Sequence, residues 1–151
     1  MKKVFASIAI VALLVGSVSV TGCGKYEEGP SLSLRSKKAR VVGEWEVEKV
    51  IENGVDKTSD YRTFIASETF EFKKDETFTT SQTLTSLLGG GTESTSGTWA
   101  FASDKEQIST SVTENNVTTT TTVTILRLTN KEFWTKEVDG SDTYEYHYKA
   151  K

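Results

Sequence analysis

From Val41 to the C-terminus the chain alternates apolar and polar residues with a period of two, and helical spacing is nearly absent. Gly43, Trp45 and Val47 share one side of a strand while Glu44, Glu46 and Glu48 share the other. A slip of one residue would bury three carboxylates, so the register of this segment is strongly specified. Phe70 and Phe72, then Phe78, then Gly97, Trp99 and Phe101, then Ile108 and Val112 continue the pattern. The alternation predicts strands near residues 41–51, 67–73, 76–84, 94–102, 106–113, 117–128, 131–138 and 142–149. Lys74-Asp75, Ser103-Asp104-Lys105, Glu114-Asn115-Asn116, Thr129-Asn130 and Asp139-Gly140-Ser141 separate them with residues that favour positive φ or side-chain-capped turns.

Strands joined by such short turns make an antiparallel up-and-down meander. Left open, it would expose two edges, so the expected architecture is an all-β barrel of about eight strands. The longest early connection, 56–66, has room for a helical turn that lids one end. The inward face is aromatic, and burial of each such ring contributes on the order of 2–3 kcal/mol. The run Thr118 to Thr122 reads as good β-formers on a wet face.

Two Gly-x-Trp segments, Val42-Gly43-Glu44-Trp45-Glu46-Val47 and Ser96-Gly97-Thr98-Trp99-Ala100-Phe101, stand in order with Phe70-Glu71-Phe72-Lys73-Lys74-Asp75-Glu76-Thr77-Phe78 and Leu128-Thr129-Asn130-Lys131-Glu132-Phe133-Trp134. The series resembles the bacterial lipocalin-like domains carried by secreted lipoproteins, over about 110 residues from Val41 onward. The resemblance implies a lipocalin-like barrel whose closed end is plugged by a Gly-x-Trp indole, and a binding role toward a small hydrophobic or amphipathic ligand. In that family an arginine packs over the tryptophan, and Arg127 is the candidate for that role. No C-terminal helix is evident, and the chain is shorter than a typical lipocalin.

Ahead of this domain stand Met1-Lys2-Lys3, an apolar run from Val4 to Val15, and a small-residue stretch ending Val20-Thr21-Gly22-Cys23. That is the layout of a secretory signal peptide. The apolar run is well short of the roughly 20 residues a spanning helix needs. Its end resembles the lipobox of bacterial lipoproteins, which implies cleavage after residue 22, acylation of Cys23 with palmitate-like chains, and anchorage in the cell envelope at the outer membrane. Lys25 and Glu27-Glu28 resemble an acidic export signal for surface display, and the periplasmic face is the other option. Residues 23–40, with the chain's one proline, read as a lipidated tether that could hold the barrel up to about 60 Å from the lipid. The expected organisation is thus leader 1–22, tether 23–40 and barrel 41–151.

Loss of Lys2 and Lys3 with the leader moves the formal charge from −3 to −5, which disfavours nucleic acid and anionic surfaces as partners. Cys23 is the only cysteine, so no disulfide or thiolate metal site is expected. Catalytic chemistry is not expected either. His147 is the only histidine, it alternates with Tyr146 and Tyr148 on a strand, and no nucleophile elbow or metal-spaced cluster accompanies it. No cofactor is implied, and a monomer is expected.

Two non-enzymatic classes remain. In the first, the barrel holds a small hydrophobic or amphipathic ligand, with Trp45, Phe70, Phe72, Phe78, Leu87, Leu88, Trp99 and Phe101 as candidate lining. In the second, a filled barrel acts as a surface interaction protein, an inhibitor or adhesion module. Leu87-Leu88 before the triple glycine Gly89-Gly90-Gly91 suggests a loop with an apolar tip, either a lid over the barrel mouth or only a floppy hairpin. The stripe Tyr144, Tyr146, Tyr148 lines a cavity if it faces inward and forms a contact surface if it faces out.

Overall fold

The computed structural model describes Tyr26 and residues 34–151. The leader and Cys23 lie outside the described residues, as does the tether apart from Tyr26 and residues 34–40. The strands are β1 (Gly43–Glu52), β2 (Val55–Asp56), β3 (Ile65–Phe72), β4 (Thr77–Leu84), β5 (Thr92–Ala102), β6 (Gln107–Glu114), β7 (Val117–Leu128), β8 (Glu132–Asp139) and β9 (Asp142–Ala150). Each long strand pairs antiparallel with the next, and β9 returns to pair with β1. The eight long strands therefore close into the expected barrel, and β2 is a short hairpin arm on the tip of β1. Asn115 and Asn116, with φ of 49° and 64°, make the two-residue turn that strand twist favours between β6 and β7.

The two closures of β1 differ. It pairs with β9 from Trp45 to Glu52, with a register shift between Val47 and Lys49. With β3 it pairs only from Gly43 to Glu46. The helices are α1 (Lys37–Val41) and α2 (Thr58–Phe64). Beyond Glu46 the strands β1 and β3 part, and α2, in the connection where a helical turn was expected, fills the gap. Lys57 N donates to Val50 O at 2.9 Å, and Val50 N donates to Thr58 Oγ1 at 3.0 Å. Arg62 donates to Val47 O on β1 and, at 3.1 Å, to Ala66 O on β3. These bonds occupy strand groups that the parted ladder leaves without β partners.

The opposite end is plugged. Trp45 is 2% exposed and donates from its indole to Val41 O at 2.8 Å. Trp99 does the same to Lys73 O at 3.1 Å. Phe72 touches Phe70, Phe78, Trp99 and Phe133, with ring centroids 5.7–6.2 Å apart. This end also corrects the tether boundary. Lys37–Val41 is helical, with Ser36 Oγ accepting from Ala39 N, and Val41 is fully buried. Arg40 is buried and donates to Leu128 O at 2.6 Å. Tyr26 is 4% exposed, donates to Lys105 O at 2.8 Å, and has its phenol pushed up to about 12 by burial. Tyr26 and residues 36–40 thus pack on the barrel, the aromatic and Arg40 each meeting a backbone carbonyl of it.

Arg127 does not pack over Trp45. It lies on the outside, stacked on Trp134 and paired with Glu132 at 2.7 Å. His147 also faces out, as its alternation implies, but Trp134 covers it at a centroid distance of 4.0 Å. Thr118, Thr120 and Thr122 face outward too, each within 2.7–2.8 Å of a hydroxyl on β6.

Gly97 is needed for close approach rather than for its backbone angle. A Cβ there would stand 2.1 Å from Ser111 O and 2.8 Å from Phe78 Cε1. The first contact is backbone and cannot swing away, so Gly97→Ala is expected to lower unfolding stability by at least about 1–3 kcal/mol. Urea titration of the variant would check this, and a wild-type midpoint would show that β5 and β6 can spread at no cost.

Candidate functional site

Between the aromatic plug and α2 the barrel encloses a cavity of about 270 Å³. Parity along the strands decides what lines it. On β3 the inward residues are Glu68, Phe70 and Phe72; on β8 they are Phe133, Thr135 and Glu137; on β9 they are Tyr146 and Tyr148. Trp45, Gln82, Ile108, Thr110, Thr121, Val123 and the α2 residue Tyr61 complete the wall. Since β3, β5, β7 and β9 run toward the plug and β1, β4, β6 and β8 away from it, the lining is graded along the axis. Trp45, Phe72, Ile108 and Phe133 form the floor, and Glu68, Gln82, Glu137, Tyr61 and Tyr146 stand near the mouth.

Among the expected lining residues, Trp45, Phe70 and Phe72 meet at this cavity. Phe78, Trp99 and Phe101 pack in the core beside it, with Trp99 edge-on to Phe101 at 5.6 Å, and none of the three reaches the lining. Leu87 and Leu88 do not reach it either. They sit in a one-turn 3-10 helix, Ser86–Leu88, and are 68% and 49% exposed. Thr85 ties that turn to α2 through Phe64 O at 2.9 Å and Thr63 O at 2.8 Å. Val55, Phe64, Val117 and Val138 are also exposed at this open end, so the mouth has an apolar rim.

The polar groups at the mouth centre on Glu68. Tyr61 Oη donates to Glu68 Oε2, and Gln82 Nε2 lies 3.5 Å from Oε1. Burial raises the Glu68 carboxyl above its ordinary range, and the Tyr61 hydrogen bond and the Arg62 charge pull it partly back. Burial and the same carboxylate raise Tyr61 as well. Tyr146 and Tyr148 are raised by burial first and by Glu68 second. All three phenols therefore remain protonated well above neutral pH and serve as hydrogen-bond donors. The tyrosine stripe faces inward at Tyr146 and Tyr148.

Glu68, Glu137, Tyr61 and the lining threonines are not among the expected site residues, because residue type alone points acids and hydroxyls toward solvent. The signal was parity: Glu68 shares the face of Phe70 and Phe72, and Glu137 that of Phe133. Among the described residues no group of three His, Cys, Asp or Glu side chains could hold a metal ion, and no helix is long and apolar enough to cross a membrane.

Neither a protein-family model nor a curated protein sequence matches the chain. Among solved structures it is similar to insecticyanin from the tobacco hornworm Manduca sexta, a lipocalin, with a TM-score of 0.57 at 10% identity over 84% of this chain and 68% of that one. At that identity the likeness bears on the fold. The chain is a closed, eight-stranded antiparallel barrel of lipocalin-like architecture.

The Glu68 environment makes stability depend on pH. A carboxyl whose folded value lies above its unfolded one stabilises the fold at low pH, and that contribution is lost as pH rises through the folded value. Glu68→Gln keeps an oxygen to accept from Tyr61 and removes the buried charge. The variant is expected to melt above wild type at pH 7, and the gap should close as pH falls below about 4.3. Thermal melts across that range would check it, and a variant less stable at pH 7 would mean the carboxylate is held favourably.

Proposed function

We propose that the protein is a lipid-anchored lipoprotein of the bacterial cell envelope whose barrel binds a small hydrophobic or amphipathic ligand, without catalysis. The observation that carries the binding reading is the cavity, with an aromatic floor, a polar mouth and an apolar rim through which such a ligand would enter. At about 270 Å³ it lies near the lower end of ligand pockets, roughly 300–1,000 Å³, and above the ~150 Å³ that admits a benzene ring. A single ring or a short chain fits this size better than an extended polycyclic. The lipocalin-like fold supports the same reading, since barrels of this kind present an interior of suitable shape.

Neutral one-ring and short-chain probes should bind the folded protein, as read by calorimetry. Val123→Phe, which adds bulk to the wall, should weaken them about tenfold or more. Folded protein that binds none of them would favour the filled-barrel interaction protein instead.

The envelope reading rests on Val20-Thr21-Gly22-Cys23 behind the apolar run. Cys23→Ser should leave the chain uncleaved or released, with no incorporation of radiolabelled fatty acid. Processing and membrane partitioning like wild type would sink the lipid anchor.

A further inference from the structure

The cavity lining holds two carboxylates, Glu68 and Glu137, and no lysine, arginine or histidine. The cation nearest in effect to Glu68 is Arg62, whose guanidinium is committed to Val47 O and Ala66 O at the β1–β3 gap and does not line the cavity. Glu137 has no cationic partner among the described residues. The same sign extends beyond the lining. Glu52, Asp56, Asp60, Glu114, Asp139 and Asp142 stand in or beside the turns at the open end, where Lys49 pairs with Asp56 at 3.5 Å, Lys57 with Asp60 at 3.0 Å, and Arg62 is the third base, so the acids remain in excess.

From this arrangement we infer that the cavity takes a small amphiphile with a protonated amine head, its apolar body on the aromatic floor and its ammonium toward Glu68 and Glu137, and that it rejects carboxylates of the same length. The inference rests on the binding reading above and narrows it to a chemical class. An ammonium entering this mouth meets acceptors: two carboxylates, the Gln82 carbonyl and the threonine hydroxyls of the wall. A carboxylate would meet two like charges in a site of reduced polarity, with only phenols and hydroxyls as donors. The acidic turns add attraction for a cation as it approaches, and this part weakens with salt. The tyrosines serve either head, so the acids set the discrimination.

Three probes of equal chain length separate the possibilities: octylammonium, octanol and octanoate, titrated into the full chain at pH 7 and low salt. Octanol reports whether the cavity binds a short chain at all. The expected order places octylammonium first and octanoate weaker by about tenfold or more. Glu68→Gln with Glu137→Gln should close most of that gap, and Glu137→Gln alone, at the partly exposed mouth, should narrow it if the double variant does not fold. If octanol binds and octanoate binds as well as octylammonium, the amine preference is overturned while the ligand-binding reading stands. A gap unaltered in the folded variants would overturn the assignment to these two carboxylates. If none of the three binds folded protein, the ligand-binding reading fails, and this inference with it.

Discussion

The barrel depends on how β1 is shared between two neighbours. One strand must complete hydrogen-bond ladders on both edges, and it does so fully toward β9 but only over its first residues toward β3. Were the rest of that edge left bare, buried carbonyls and amides would lack partners, which a small domain does not tolerate. The polypeptide between the two strands supplies the missing partners from Lys57, Thr58 and Arg62. The same helix carries Tyr61, so the repair of the wall also places the phenol that donates to Glu68. Barrel closure and the polarity of the mouth therefore come from one short segment.

The interior is built in two halves along its axis. Toward the plug, aromatic rings meet one another in stacked and edge-on pairs around Phe72, which stabilises by area. Toward the mouth, the same inward positions carry Thr, Gln, Glu and Tyr. A polar group at an inward position is costly unless it has a partner, so these residues hydrogen-bond one another or face open space. The cavity exists because large rings stop partway along β3 and β8 and smaller or polar side chains take over.

The eight barrel strands and most of their turns were legible in the sequence because burial on one face imposes a period of two that survives even in a threonine-rich chain. The inward direction of Trp45, Phe70 and Phe72 followed from the same period. Depth along the axis did not, since alternation tells which face a residue occupies and not how far it lies from the mouth. Trp99, Phe78 and Phe101 thus read like lining and are packed core. Glu68 and Glu137 were hidden for the opposite reason: their type argued for solvent, while their parity with nearby rings placed them inside. The short helix Lys37–Val41 and the contact of Tyr26 had no periodic signature, because they are held by long-range contacts, Arg40 to Leu128 O, Lys38 to Glu76 and Tyr26 to Lys105 O.

The docking of Tyr26 bears on orientation. Its phenol is fixed at the plugged end, and Cys23 precedes it by three residues, a reach of at most roughly 10 Å in extended chain. An acyl group on Cys23 would then hold the plugged end against the bilayer instead of letting the domain swing on a long leash. The mouth would point away from the lipid, toward the aqueous compartment. A ligand would have to arrive through water, and a molecule dissolved in the anchoring leaflet would have no direct path in.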